Sequence, residues 1–522
     1  MKKVVLILVG VLVIFSSYSQ NGNRYDVPQR ITVAGKIDNY DPSRELTVSV
    51  NWIGFMQERI LTKTDSAGNF IATFESYIPV DAWVGYKTNF QVLLYPGDSL
   101  FVHFDGKHNN RPALLASIDF GGNAAKTNLN AAKFQQLYFS NEIYRNDDRN
   151  EKAVKEYDTD QYLQYLDTIQ QKFKEIYNRF ITENHPDDES KKWAQLYIEN
   201  DYYHDISWYS TKRRQANQMN MDWDNTWNVP AGFYDKLCNR LPIDASMFIN
   251  SDGLSGFHNT FFRYVDDKLK EKSGDVWRVS TDDRAVAMAT FDSIRFFSTI
   301  EFVPDPLLLQ IMLTEFFDQR FRRQNIATYE RFRDVADTYI KEPFLKEPLF
   351  QKYLQTKHRI ENPQIFTETV LNKAVEFSQK EPVNLSLKEV AHLSVKEIWD
   401  EIFQQNKGKV IYIDFWGTWC GPCLAEMPNS TIVEHEFDGK DVTFVYICLE
   451  SEKEQWEATI DKFKLGGQHY HLSRRQSAEM RNLLSIAGVP FYVLIDKNSV
   501  IKEWGGHLRP LSARDKIEEM LK

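Results

Sequence analysis

Cysteine is scarce in this chain. Four occur among 522 residues, Cys238, Cys420, Cys423 and Cys448, and so large a protein with so few is not built on a disulfide framework. An excess of positive charge is also missing. Lysine and arginine number 63 against 73 acidic residues, a formal net charge of −10. A general nucleic-acid binder carries a basic face, so no nucleic-acid partner is expected. Apolar runs are short: beyond the first twenty residues none approaches the ~20 residues of a membrane-spanning helix. No repeat with a recognisable consensus is visible. "DWDN" at Asp222–Asn225 resembles the start of a calcium loop but has Trp227 where the glycine belongs and Phe233 where the glutamate belongs. "GLSGF" from Gly253 lacks the spacing of a nucleophile elbow. Nothing in the sequence calls for a cofactor.

The amino terminus has a definite pattern. Lys2 and Lys3 precede a 12-residue apolar run, Val4 to Phe15, and Ser17-Tyr18-Ser19 puts small residues ahead of Gln20. This is the layout of a cleavable secretory signal over residues 1–19. The apolar run is short for a membrane anchor, and no cysteine stands near the cleavage point to carry a lipid. The mature chain is therefore expected to be exported and periplasmic.

Three domains are expected behind the signal. Residues 20–120 hold β-branched and aromatic runs ("RITVAGKI", "ELTVSVNW", "NFIATFES", "FQVLLYPGDSLFVHF") broken by turn residues, the pattern of a small β-sandwich. Over 121–385 the period changes: Tyr162, Leu166, Ile169, Phe173, Ile176 and Phe180 lie on one helical face, ended by His185-Pro186. This domain is mostly helical, and its aromatic stripes read as core. "DYYHD" around His204 reads as surface or as a satisfied core histidine. Over 386–522 the pattern is α/β. Ser394 and Glu397 make a capping box, "KVIYIDF" (409–415) and "VTFVYICLE" (442–450) read as doubly covered strands, and "PFYVLID" (490–496) and "VIKEWGG" (500–506) pair as a hairpin before a last helix at about 511–521.

The chemistry is concentrated in "DFWGTWCGPC", Asp414 to Cys423. A Cys-X-X-Cys pair alone also suits zinc, with His469, His471 and Cys448 as the nearest further ligands, yet nothing fixes them at metal spacing. The context is a strand, a short loop and then a helix opening at Cys420. A helix N-terminus offers unpaired N–H groups and positive partial charge, which stabilise a thiolate at Cys420. Pro422 suits the first turn, and Cys423, one turn along, can attack a mixed disulfide formed at Cys420. A peroxidase would need Pro-X-X-X-Thr-X-X-Cys, which is absent. Cys238 and Cys448 read as small buried hydrophobes, and a bond between them stays open.

These residues resemble the active-site segment of the thioredoxin superfamily. "GVP" at Gly488–Pro490 is similar to its cis-proline loop, and Pro428 to the proline within its active-site helix. Seventy positions separate Cys420 from Pro490. The excess over plain thioredoxin, placed at Lys462–Gln476, and Glu426 in "CLAEMP" resemble the TlpA/ResA-like branch. The resemblance implies a thioredoxin-like fold for 386–522 and a Cys420/Cys423 dithiol centre. It also implies acid–base roles for Asp414 and Glu426, and a client-facing surface of Trp419, Val489 and Pro490, with the Val489 backbone offered to an extended segment. Aspartate at 414 is thioredoxin's residue rather than the branch's neutral one, and thioredoxin's lysine partner falls at Tyr446. A buried carboxylate without a cation is raised in pKa, so Asp414 either exchanges the Cys423 proton or is a solvated strand-end acid. The family implies a disulfide reductase, recharged by a membrane thiol reductase of DsbD/CcdA type and acting on disulfide-containing clients such as apocytochrome c. Two alternatives stand: a client-binding or chaperone module in 24–385 with an accessory redox domain, and a disulfide isomerase or oxidase.

Overall fold

The computed structural model describes residues 25–42, 44, 46–60, 62–141, 147–216, 229–274, 284–362, 390, 393–463, 465–486 and 488–522. Residues 1–19, expected to be an export signal, and the "DWDN" segment lie outside the described residues.

The β-rich part forms two sheets. Its strands are β1 (Gln29–Asp38), β2 (Thr47–Val50), β3 (Glu58–Ile60), β4 (Thr62–Thr64), β5 (Asn69–Ser76), β6 (Val80–Gly85), β7 (Asn89–Leu94), β8 (Ser99–Asp105) and β9 (Asp119–Gly122). One sheet runs β4-β5-β1-β8-β9, the other β3-β2-β6-β7. Alternation decides which side is buried: β5 buries every second residue, Phe70, Ala72, Phe74 and Ser76. The "PGD" turn does not close a hairpin. β7 pairs with β6 and β8 pairs with β1 in parallel, so the chain changes sheets at Gly97, whose φ of +93° suits glycine. β7 is an edge strand, and an edge needs its backbone groups satisfied. The helix Ala125–Ser140 does this with side chains: Asn128 Oδ1 accepts from Leu93 N at 2.8 Å and Gln135 Oε1 from Gln91 N at 2.8 Å.

The central part is helical. The face read from the sequence lies on the helix Thr159–Asn184, opened by an Asp158 capping box and closed at His185 in the left-handed region. Tyr162, Leu166, Phe173, Ile176 and Phe180 are buried. They belong to one apolar cluster that also holds the inward residues of both sheets. Beneath it Asp81 of β6 is fully enclosed and accepts from Trp193 Nε1 (2.9 Å), Asn250 Nδ2 (2.9 Å), Ser251 Oγ (2.9 Å) and the Asp252 amide (2.8 Å). His204 is half-buried beside Asp205.

The C-terminal part has its own sheet of β10 (Val410–Trp416), β11 (Val442–Cys448), β12 (Gln468–His471), β13 (Phe491–Ile495) and β14 (Ile501–Gly505), in the order β12-β11-β10-β13-β14. β10 is parallel to β11 and antiparallel to β13. All seven β10 residues are buried, as a strand covered on both faces requires. Ile411, Ile413 and Phe415 face a cluster shared with helices Val395–Gln405 and Arg474–Leu484, while Val410, Tyr412 and Trp416 face a second cluster with the Gly421–Glu436 and Pro510–Leu521 helices. The segment 462–476, read as an insertion, carries β12, which adds a parallel edge strand beyond β11.

Candidate active site

β10 ends at Trp416, and the chain reaches Cys420 through three residues. Cys420 is the N-cap of the Gly421–Glu436 helix, with φ −89° and ψ 93°. Its Sγ accepts a hydrogen bond from the Cys423 amide at 3.1 Å, so sulfur stands where a serine or aspartate oxygen usually caps a helix. Cys420 and Cys423 are joined in a disulfide, with Cα atoms 5.2 Å apart. Both are nearly enclosed, at 3% and 2% exposure, whereas the Trp419 indole is 53% exposed. The Val489–Pro490 bond is cis, and the Val489 carbonyl oxygen lies 3.6 Å from Cys420 Sγ. In the oxidised pair that sulfur carries no proton, so this is a contact rather than a hydrogen bond.

Asp414 lies on the same face of β10 as Tyr412 and Trp416, the face that also packs Cys420, Cys423 and Met427. In register it faces Tyr446 on β11 and Tyr492 on β13. Neither neighbour brings a cation, and Asp414 Oδ1 accepts no hydrogen bond. Burial pushes its carboxyl well above the usual carboxylate range, and the Glu426 carboxylate adds to the rise. Tyr446 instead directs its hydroxyl to Glu434 Oε1 at 2.6 Å.

The family described as thioredoxin-like matches residues 408–501. The carboxy-terminal domain is thioredoxin-like. The thiol–disulfide oxidoreductase ResA of Oceanobacillus iheyensis is 30% identical over 97 residues, 19% of this chain and 49% of the relative. The ResA of Geobacillus kaustophilus is 27% identical over 97 residues, covering 54% of its length. The chain thus spans about half the length of these curated relatives. Among solved structures, the thioredoxin domain of a thiol–disulfide oxidoreductase from Bacteroides vulgatus is 23% identical, covering 23% of this chain and 84% of that one, at a TM-score of 0.22.

Within the thioredoxin-like domain several residues singled out from the sequence lie at the disulfide: Trp419 precedes it in the chain, the Val489 carbonyl touches Cys420 Sγ with the cis Pro490 next in sequence, and Asp414 shares the strand face that packs both cysteines. Glu426 is on the active-site helix and is not alone. Arg509 pairs with its Oε1, and Asn429 Nδ2 donates to its Oε2 at 2.9 Å. Arg509 was not legible, because 83 positions separate the partners. Gly417 was also missed: a Cβ there would stand 2.7 Å from Trp419 Nε1, and that Nε1 donates to the Leu449 carbonyl at 3.2 Å. Glycine lets the indole fold back over the loop.

The two remaining cysteines are free. Cys448 is fully buried, and burial pushes its thiol up to about 12, so it offers no thiolate near neutral pH. Cys238 is only half-buried, against the expectation of a core residue, because it sits on the rim of the helical cluster rather than inside it. The histidines considered as zinc ligands are engaged by backbone oxygens: His469 Nε2 lies 2.7 Å from the Gly466 carbonyl and His471 Nε2 2.8 Å from that of Ser451. Among the described residues no group of three or more His, Cys, Asp or Glu is placed to hold a metal.

The thioredoxin-like domain is docked on the rest of the chain. Arg59 of β3 meets Glu450 at 3.5 Å, Arg481 holds the same carboxylate at 3.0 Å, and Gln324 Nε2 donates to the Trp504 carbonyl at 2.8 Å.

Proposed function

We propose that the chain is an exported thiol–disulfide oxidoreductase that reduces disulfides in client proteins. The observation that carries this reading is the Cys423 amide aimed at Cys420 Sγ at a helix N-terminus. In the reduced protein the same amide and the positive end of the helix favour a thiolate at Cys420. That thiolate attacks one sulfur of a client disulfide. The client S–S bond breaks, a Cys420–client bond forms, and the other client sulfur leaves as a thiolate that takes a proton. Cys423 then gives its proton to the ionised form of Asp414, whose burial makes it a stronger base than an ordinary carboxylate. Its thiolate attacks Cys420 Sγ. The mixed disulfide breaks, the second client sulfur leaves as a thiolate that takes the proton back from Asp414, and the Cys420–Cys423 disulfide remains. Two electrons have passed to the client.

Recharging needs a dithiol donor, and a membrane thiol reductase of DsbD/CcdA type fits an exported protein. The Lys2-Lys3 and apolar pattern at the amino terminus supports a periplasmic location. The Val489 backbone, beside Cys420 Sγ, is the edge on which an extended client segment adds, with Trp419 exposed next to it. The Cys-Gly-Pro-Cys sequence supports the reducing direction. Two measurements test the proposal. Reduction of insulin disulfides by the full chain with a dithiol donor is expected to vanish in Cys420→Ser. The potential of the pair is expected near about −270 mV, and a value near about −120 mV would make the protein an oxidase.

A further inference from the structure

The β-rich domain faces the thioredoxin-like domain, at Trp419, across a cleft of about 440 Å3. From the β-rich side it is lined by Arg44, Arg59 and Lys87, and from the thioredoxin-like side by Trp419, Glu450 and Arg474. Among the described lining residues four cations thus stand against one carboxylate, which is held by Arg59 and Arg481. The chain as a whole has the opposite balance, 73 acidic against 63 basic residues. The cleft also has an apolar wall: the exposed Trp419 indole on one side and the Tyr86 ring, beneath Lys87, on the other. Trp419 directly precedes Cys420 in the chain, so this wall of the cleft begins one residue from the disulfide.

Resting on the reductase reading, we propose that this cleft binds an acidic stretch of an extended client segment beside the disulfide to be reduced. Guanidinium groups take carboxylates in paired hydrogen bonds, and the indole and phenol rings give the segment a surface to lie on. The Arg474 side chain is half-exposed, and its carboxylate neighbour Glu452 is 3.7 Å away and more exposed still, so exchanging that partner for a client carboxylate costs little. A cationic cleft in a chain of net negative charge also steers acidic segments to the active site and turns acidic clients away from the remaining surface.

The experiment uses the full chain carrying Cys420→Ser and Cys423→Ser, so that binding is read without turnover. Two labelled peptides of equal length, one Asp-rich and one Lys-rich, are titrated by fluorescence anisotropy at low and high salt. The Asp-rich peptide is expected to bind at least about tenfold more tightly, with the advantage shrinking at high salt. Adding Lys87→Glu and Arg474→Glu is expected to remove at least about tenfold of that affinity, while the Lys-rich peptide gains, which shows the fold intact. Equal affinity for the two peptides, or an unchanged preference after charge reversal, overturns the assignment. The reading beneath it fails separately. If the unsubstituted chain holds the Asp-rich peptide but reduces no disulfide, the reductase function falls and the cleft stands as a peptide site.

Discussion

At the scale of single residues, Asp414 bears most of the electrostatic stress in the site. Its carboxyl is buried, unpartnered at Oδ1 and surrounded by tyrosines. In the unfolded chain it titrates near about 3.9. Between that pH and its raised folded value the native protein binds one proton more than the unfolded one, so this group's contribution to stability falls as pH rises through the window. Asp414→Asn is therefore expected to raise the melting temperature relative to the unsubstituted chain, with little difference near about pH 4 and a gain of about 1–3 kcal/mol at neutral pH. Turnover is expected to drop about ten- to hundredfold, because Cys423 loses its proton acceptor. A stability difference that is the same at both pH values would show that the carboxyl carries no such burden. Glu426 and Arg509 set the field around it. Removing the Glu426 charge is expected to lower the Asp414 pKa, and removing Arg509, the cation paired with Glu426, to leave that carboxylate unopposed and raise the Asp414 pKa. Profiles of kcat/KM against pH are expected to shift toward acid in Glu426→Gln and toward base in Arg509→Met. Shifts in the same direction would sever Asp414 from the rate.

At the scale of elements, the active-site helix begins on sulfur. Cys420→Ser keeps an oxygen that can accept from the Cys423 amide, whereas Cys420→Ala leaves that amide without its cap. Both variants lack the disulfide and the nucleophile, so both are expected to be inactive. The serine variant is expected to be more stable by about 1 kcal/mol in urea unfolding, and equal stabilities would deny the cap. This helix start was legible because strand, loop, Cys-Gly-Pro-Cys and the residues behind it all agree locally. β10, the Ser394 capping box and the β13–β14 hairpin were legible for the same reason. Long-range pairings were not. Turn chemistry marks where a strand stops but not which strand it joins, so the crossing of β7 and β8 into different sheets was hidden. The Glu426–Arg509 pair and the Asn128 and Gln135 bonds to the β7 edge were hidden too, since a polar residue on a helix looks the same whether it meets water or a strand. Gly417 was visible as a letter, but its purpose needs the position of the Trp419 ring.

At the scale of the whole molecule the apolar clusters define two units that meet through a few polar contacts. The β-rich and helical parts share one cluster and are riveted by Asp81, while the thioredoxin-like domain has its own clusters on either face of its sheet. Two thermal transitions are expected, and their sensitivities should differ. Asp252, half-buried against Asp81, is pushed up to about 7, first by burial and then by the Asp81 carboxylate, with hydrogen bonds from Trp83 and Asn51 and the His204 charge opposing. A carboxyl raised in this way supports the fold below its unfolded pKa, and that support is lost as pH rises through about 7. The β–helical transition is therefore expected to move to lower temperature between mildly acidic and mildly basic pH, and Asp252→Asn is expected to flatten that slope. Reducing the Cys420–Cys423 disulfide is expected to move only the other transition. Calorimetry of the full chain at several pH values, with and without a dithiol, reads both at once. A single transition that responds to pH and to reduction together would mean that the Arg59–Glu450 and Gln324–Trp504 contacts weld the chain into one cooperative body. That would be a surprise, since an exposed ion pair and a single neutral hydrogen bond are each worth roughly 0–1.5 kcal/mol.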